Sequence, residues 1–158
     1  MIQTPNLDLA TRDRACGALL GLAVGDTLGT TLEFTRRDPQ PVHTEMTGGG
    51  PFFLQPGKWT DDTSTALAHS LISCQDFSPY DLATRFVSWC QHGAYSCTGT
   101  CFKIGITTRE ALARFIRTGD PYAGSAVPDT AGNGSLMRLA PVALFALPPH
   151  HCAAASGA

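Results

Sequence analysis

The sequence predicts an all-α domain with long functional loops, and three observations carry that prediction. No stretch shows strand-like alternation or a hairpin turn. Several segments repeat their apolar residues at helical spacing between capping residues. And of 158 residues 43% are hydrophobic but only 15% charged, enough to bury a core and too apolar for a disordered chain.

In chain order, RACGALLGLAVGDTLG places glycines at 17, 21, 25 and 29, on one slowly drifting helix face. Glycine weakens a helix, so four on one side call for a reason; close backbone approach supplies one, and a central, crowded helix is expected. From Leu32 to Lys58 proline and glycine interrupt every period, giving a loop of a length usually tied to function. TDDTSTALAHSLISC opens a second helix with Thr60 or Asp61 as its cap. SPYDLATRFVSWCQ is a third, capped near Ser78, with Leu82, Phe86 and Trp89 on one face. After the polar connection YSCTGTCFKIG, ITTREALARFIRTGD forms a fourth helix that ends at Gly119, ahead of Pro121. A second loop, PYAGSAVPDTAGNG, leads into SLMRLAPVALFAL, where Pro141 kinks or restarts the helix. The tail PPHHCAAASGA adds no obvious element.

A net charge of -2, with nine arginines and two lysines scattered, provides no basic groove for nucleic acid and no attraction to an acidic membrane. The apolar run from Ala15 to Val24 is too short to span a bilayer. Six cysteines at irregular spacing, behind the polar start MIQTPNLDLATRDR, are expected to be reduced thiols of a cytoplasmic protein; Cys97 and Cys101 lack the spacing and partners of a zinc site.

Three stretches could carry chemistry. Thr60-Asp61-Asp62-Thr63 offers clustered oxygens suited to a hard cation, and equally suits a helix cap. Asp26 and Glu33 are acids beside an apolar helix, costly unless paired or ligated; alternatively Glu33 is solvated and Asp26 bonds a neighbouring backbone. Gly132-Asn133-Gly134-Ser135 before a helix suits a phosphate or an ordinary turn, and Arg138 could assist an anion or bridge to an acid.

Taken together and in order, GALLGLAVGDTLGTTLEF, GKWTDDTSTAL, CTGTCFKIGITTREAL and GNGSLMRLAPVAL resemble the ADP-ribosylglycohydrolase family, over Arg14 to Leu147. The resemblance implies a compact, orthogonal all-α domain of which residues 1–158 are the N-terminal portion, incomplete at its C-terminus. It implies a cleft holding two Mg²⁺ or Mn²⁺ ions, with Thr60, Asp61 and Asp62 as metal ligands. Glu33, Asp61 and Asp62 would serve catalysis; Gly99, Asn133, Gly134 and Ser135 would meet the ADP-ribose of a modified protein or other conjugate. Two departures stand against a complete site. No acid follows Asp129, so a later acidic metal motif is missing, and Lys103 stands where close relatives carry Asp. The alternative is therefore a catalytically inactive module that binds ADP-ribose or serves as a structural partner. A half-domain is further expected to self-associate or to pair with a C-terminal fragment.

Overall fold

A computed structural model describes residues 8–38, 42–70 and 77–146. The expected end of the second helix, Cys74, Cys152 and the tail lie outside the described residues. Among the described residues six α-helices run in order: α1 Leu9–Gly29, α2 Asp61–Ser70, α3 Pro79–His92, α4 Ile106–Thr118, α5 Gly134–Met137 and α6 Ala140–Phe145. Among the described residues there is no strand, only one isolated bridge between Gly49 and Leu54 in the long loop.

The core is built where α2, α3 and α4 meet. Ser78 caps α3, accepting from the Asp81 N–H at 3.2 Å, and Pro79 follows at the first helical position, where its missing N–H costs nothing. Phe86 and Trp89 are then both buried, and Phe86 packs with Ala68 and Leu112. A second cluster joins Ala83, Phe115 and Ala123. Burial of each large side chain contributes about 1.5–3 kcal/mol. Gly93 ends α3 in the left-handed region at φ 67°, and a β-carbon there would strike the Gly99 carbonyl. Only glycine lets the connection fold back so closely. Gly119 ends α4 in the same way, at φ 73°. Leu139 and Pro141 restart the chain after α5, as the proline suggests.

The glycine-bearing helix α1 departs from expectation. It is not crowded: Leu20 and Val24 are 66% and 49% exposed, and only Thr27 is buried. A β-carbon on Gly17, Gly21, Gly25 or Gly29 would meet nothing within 4 Å. The small-residue face exists, but it lines a cavity with Asp62, Lys103 and Met137 and packs against no described helix; α1 is held through contacts with α2 and α6. The helix and the turn after it, Leu9–Leu32, span 24 residues and contain an 18-residue stretch of mean hydropathy 1.3, long and apolar enough by length and composition for a bilayer, unlike the short run read from sequence. Its attachment is nonetheless to protein, because Asp26 is tied to the start of α2.

Candidate functional site

That tie organises the site. The Asp26 carboxylate accepts from the Thr60 N–H at 2.9 Å and the Thr63 N–H at 3.1 Å, and from both threonine hydroxyls. These N–H groups belong to the unsatisfied first turn of α2, so Asp26 caps that helix from 34 residues away. Neither Thr60 nor Asp61 needs to cap it with its own side chain. The segment before α2 is clamped as well: Lys58 donates to the Cys97 carbonyl at 2.7 Å, Trp59 Nε1 to the Tyr95 carbonyl at 3.2 Å, and the Cys97 thiol to the Trp59 carbonyl at 2.9 Å. Burial pushes the Cys97 thiol up, and that of Cys101 up to about 11, so both stay protonated. The described cysteines, at 16, 90, 97 and 101, are free.

With the cap supplied elsewhere, Asp61 and Asp62 are left over. Each has a buried Oδ1 without a hydrogen-bond partner, as does Glu33 at Oε2. Burial, reinforced by the Asp61 charge, raises the Asp62 carboxyl to about 6. Burial raises Asp61 too, against the pull of Lys103. Lys103 does not turn away. Its Nζ lies 2.6 Å from Glu33 Oε1, 3.3 Å from Asp61 Oδ1 and 3.3 Å from Thr60 Oγ1. The contact to Asp61 is an ion pair, and at Asp61 the effect of burial outweighs it. Burial pulls the Lys103 ammonium down, but the Glu33 hydrogen bond and the charges of Asp61, Glu33 and Asp62 more than offset it, and its pKa is raised. Lys103 and Phe34, beside Glu33, both adopt left-handed backbone, at φ 57° and 61°. For residues with side chains this costs about 1–3 kcal/mol each and persists only where the surroundings enforce it.

These groups line a cavity of about 510 Å³, with Glu33, Asp61 and Lys103 on one wall and Asn133, Gly134 and Arg138 on another. Asp62 opens instead onto an adjoining cavity with Asp26, Glu33 and Lys103. The Arg138 guanidinium lies 5.3 Å over the Phe86 ring, and desolvation lowers its pKa. Phe34 and Phe52 also line the wall, edge to face at 6.3 Å, and Phe52 packs on Phe102 at 5.5 Å. The structure thus gathers Glu33, Asp61, Asp62, Thr60, Asn133 and Gly134. It does not bring Ser135 or Gly99 to the cavity wall: Gly99 sits in the turn folded against Gly93, where the block around it clamps Trp59. Sequence reasoning missed Phe34 and Phe52, which fall in a stretch without periodicity. Helix α5 is a single turn of four residues, so its dipole adds little to any phosphate site there and the charge of Arg138 matters more.

The oxygen donors have the right chemistry for Mg²⁺ or Mn²⁺, and three buried acceptors lack hydrogen-bond partners. Among the described residues no three acidic, imidazole or thiol side chains converge on a common metal position, and the place between Glu33 and Asp61 holds the Lys103 ammonium.

A sequence model of the family described as ADP-ribosylglycohydrolase matches residues 7–158. The chain is 53% identical over 135 residues to an ADP-ribosylarginine hydrolase Tri1 of Pseudomonas putida (strain GB-1), covering 84% of this chain and 36% of that protein. It is 38% identical over 144 residues to the ADP-ribosyl-[dinitrogen reductase] glycohydrolase of Rhodospirillum rubrum, covering 87% and 46% respectively. A solved structure, described as an ADP-ribosylglycohydrolase-related protein complex, superposes with a TM-score of 0.69 at 46% identity, over 84% of this chain and 42% of its own. The chain therefore spans less than half the length of these relatives. With the helical fold, the acid group at the start of α2 and the matched sequence all in agreement, this chain belongs to the ADP-ribosylglycohydrolase family.

Proposed function

We propose that this chain forms the N-terminal, acid-bearing part of a hydrolase that releases ADP-ribose from a modified protein side chain. Arginine is the linkage favoured by the names of relatives at 53% and 50% identity. The observation that carries this reading is the lining of the cavity: the Glu33 and Asp61 carboxylates, each with a buried oxygen that accepts no hydrogen bond, in one cavity with Asn133, Gly134 and a half-buried Arg138.

Arg138 is placed to meet a diphosphate, since a guanidinium short of solvent gains most from an anionic partner. Asn133 and Gly134 line the path beside it, where a ribose would lie. Glu33, with one oxygen on Lys103 and the other unshared, can hold a water or accept its proton as the bond from ribose to nitrogen lengthens towards an oxocarbenium-like state. A magnesium or manganese ion held by Thr60, Asp61 and Asp62 would supply Lewis acidity and lower the pKa of a bound water. Since the chain covers under half of its relatives, turnover is expected to need the remainder of the domain, in the same chain or supplied as a fragment.

The test is release of ADP-ribose from an ADP-ribosylated arginine substrate in Mn²⁺ or Mg²⁺, with and without that remainder. Replacing Asp61 and Asp62 together by alanine should lower turnover at least ~100-fold, the scale on which loss of charge stabilisation acts. Unchanged turnover would remove both residues from the reaction. One observation favours a second reading: Lys103 among the acids suits a module that binds ADP-ribose without cleaving it. Calorimetry with ADP-ribose separates the two. Binding that ignores Mg²⁺, with no turnover, would favour the module.

A further inference from the structure

Three carboxylates, those of Glu33, Asp61 and Asp62, lie close enough to influence one another's ionisation, and one ammonium enters the group. Its nitrogen is 2.6 Å from Glu33 and 3.3 Å from both Asp61 and Thr60, a position bridging the long loop after α1 and the first turn of α2. We propose that Lys103 is a tethered cation that takes the place of a divalent ion between Glu33 and Asp61. The acidic group is thereby compensated in part without metal, and divalent cations bind tightly only once that charge is removed.

Several independent features point this way. The backbone at Lys103 is held left-handed, at φ 57°, so the side chain enters the acidic group despite an unfavourable conformation. The preceding residue, Phe102, is anchored on Phe52, 5.5 Å away. Magnesium needs ligand oxygens at about 2.0–2.1 Å, and an ammonium already in contact with Glu33 and Asp61 excludes it from those same oxygens and repels it from neighbouring ones. Asp62 has no direct contact with Lys103, and its Oδ1 remains unshared.

The inference rests on reading these acids as a cation-binding group, but not on hydrolysis. Its test is Mn²⁺ binding to the full chain, followed by calorimetry and by the electron paramagnetic resonance signal of free Mn²⁺, for the native protein, Lys103→Met and Lys103→Arg. Lys103→Met keeps the length of the side chain and removes its charge, and it should bind Mn²⁺ at least ~10-fold more tightly than the native chain. Lys103→Arg keeps the charge and should bind like the native chain. Native and Lys103→Met affinities within twofold of each other would overturn the proposal, as would tight binding by Lys103→Arg. Thermal unfolding covers the case in which Lys103→Met folds poorly in chelator. Recovery on adding Mn²⁺ supports replacement of one cation by another. Failure to recover, with Lys103→Arg folded, overturns it. Tight Mn²⁺ binding by Lys103→Met without ADP-ribose release by any variant, even with the rest of the domain restored, would keep this inference and remove the hydrolase reading.

Discussion

Asp26 and Asp62 open onto the same cavity and carry the same functional group, yet the protein treats them in opposite ways. Asp26 receives two N–H groups and two hydroxyls from Thr60 and Thr63, so its charge is matched by donors that the folded helix must satisfy anyway. Asp62, one residue before Thr63, has a buried oxygen that no donor reaches, and burial with the Asp61 charge lifts its carboxyl to about 6. One acid serves folding, and the other is kept at some cost to it. A carboxylate held dry and under-compensated in a cleft is the arrangement expected where a ligand completes the coordination.

The contrast breaks first at Asp26. Replacing it with alanine leaves the Thr60 and Thr63 donors buried without an acceptor, at sites only 1% and 4% exposed. Hydrogen bonds to a charged group contribute about 1.5–3 kcal/mol each, though not additively, so a loss of about 3 kcal/mol is expected. For a domain of this size that lowers Tm by roughly 6–12 °C. Asp26→Asn keeps one acceptor oxygen and should lose less. Urea and thermal unfolding in chelator check both, and a loss under about 1 kcal/mol would mean that Asp26 is no more structural than Asp62.

At Asp62 the sign reverses. Its folded pKa stands above the unfolded value of 3.8, so the folded protein holds the proton more firmly. The penalty is absent at pH below the unfolded value, grows as pH rises, and is complete above about 6. Asp62→Asn removes it. In chelator the variant should therefore be more stable than the native chain by about 1 kcal/mol at pH 7.5, a figure reduced for the group's partial exposure. The gap between the two should shrink as pH falls below about 6 and close near 4. A gap that stays constant with pH would show that Asp62 bears no charge penalty.

How much of this contrast was legible in the sequence follows from the range of the interactions. The ends of α3 and α4 were readable because Ser78 and Gly119 act on their immediate neighbours. The fold class and the acid group were readable from helical spacing and from four ordered motifs. The role of Asp26 was left open because its partners lie 34 and 37 residues on, and no local pattern encodes that contact. The glycine face of α1 was visible, but its surroundings were not, since spacing specifies a smooth surface and not what covers it. Lys103 stood out as a departure; only its distances to Glu33 and Asp61 show that it points into the site. Gly99 lies against Gly93 in a turn whose neighbours clamp Trp59, a backbone role that the motif alone does not distinguish from contact with a ligand.

The smallest effect sharpens the comparison from outside the site. Asp81 is a third acid near a helix start, within the first turn of α3, and it pairs with Arg85 one turn on at 2.7 Å. Both side chains keep much of their solvent, 27% exposed for Arg85 and 43% for Asp81, so water competes for each charge and salt screens the pair. Arg85 also donates to the Tyr95 hydroxyl at 3.4 Å, a long bond that adds little. Arg85→Ala should therefore cost about 0.3–0.5 kcal/mol, the usual worth of such a helical pair, and less in high salt. Measured by urea unfolding at two ionic strengths, a loss above about 1.5 kcal/mol that salt does not reduce would mean that Asp81 is as deeply committed as Asp26. The ordering of the three acids would then follow something other than burial and the supply of donors.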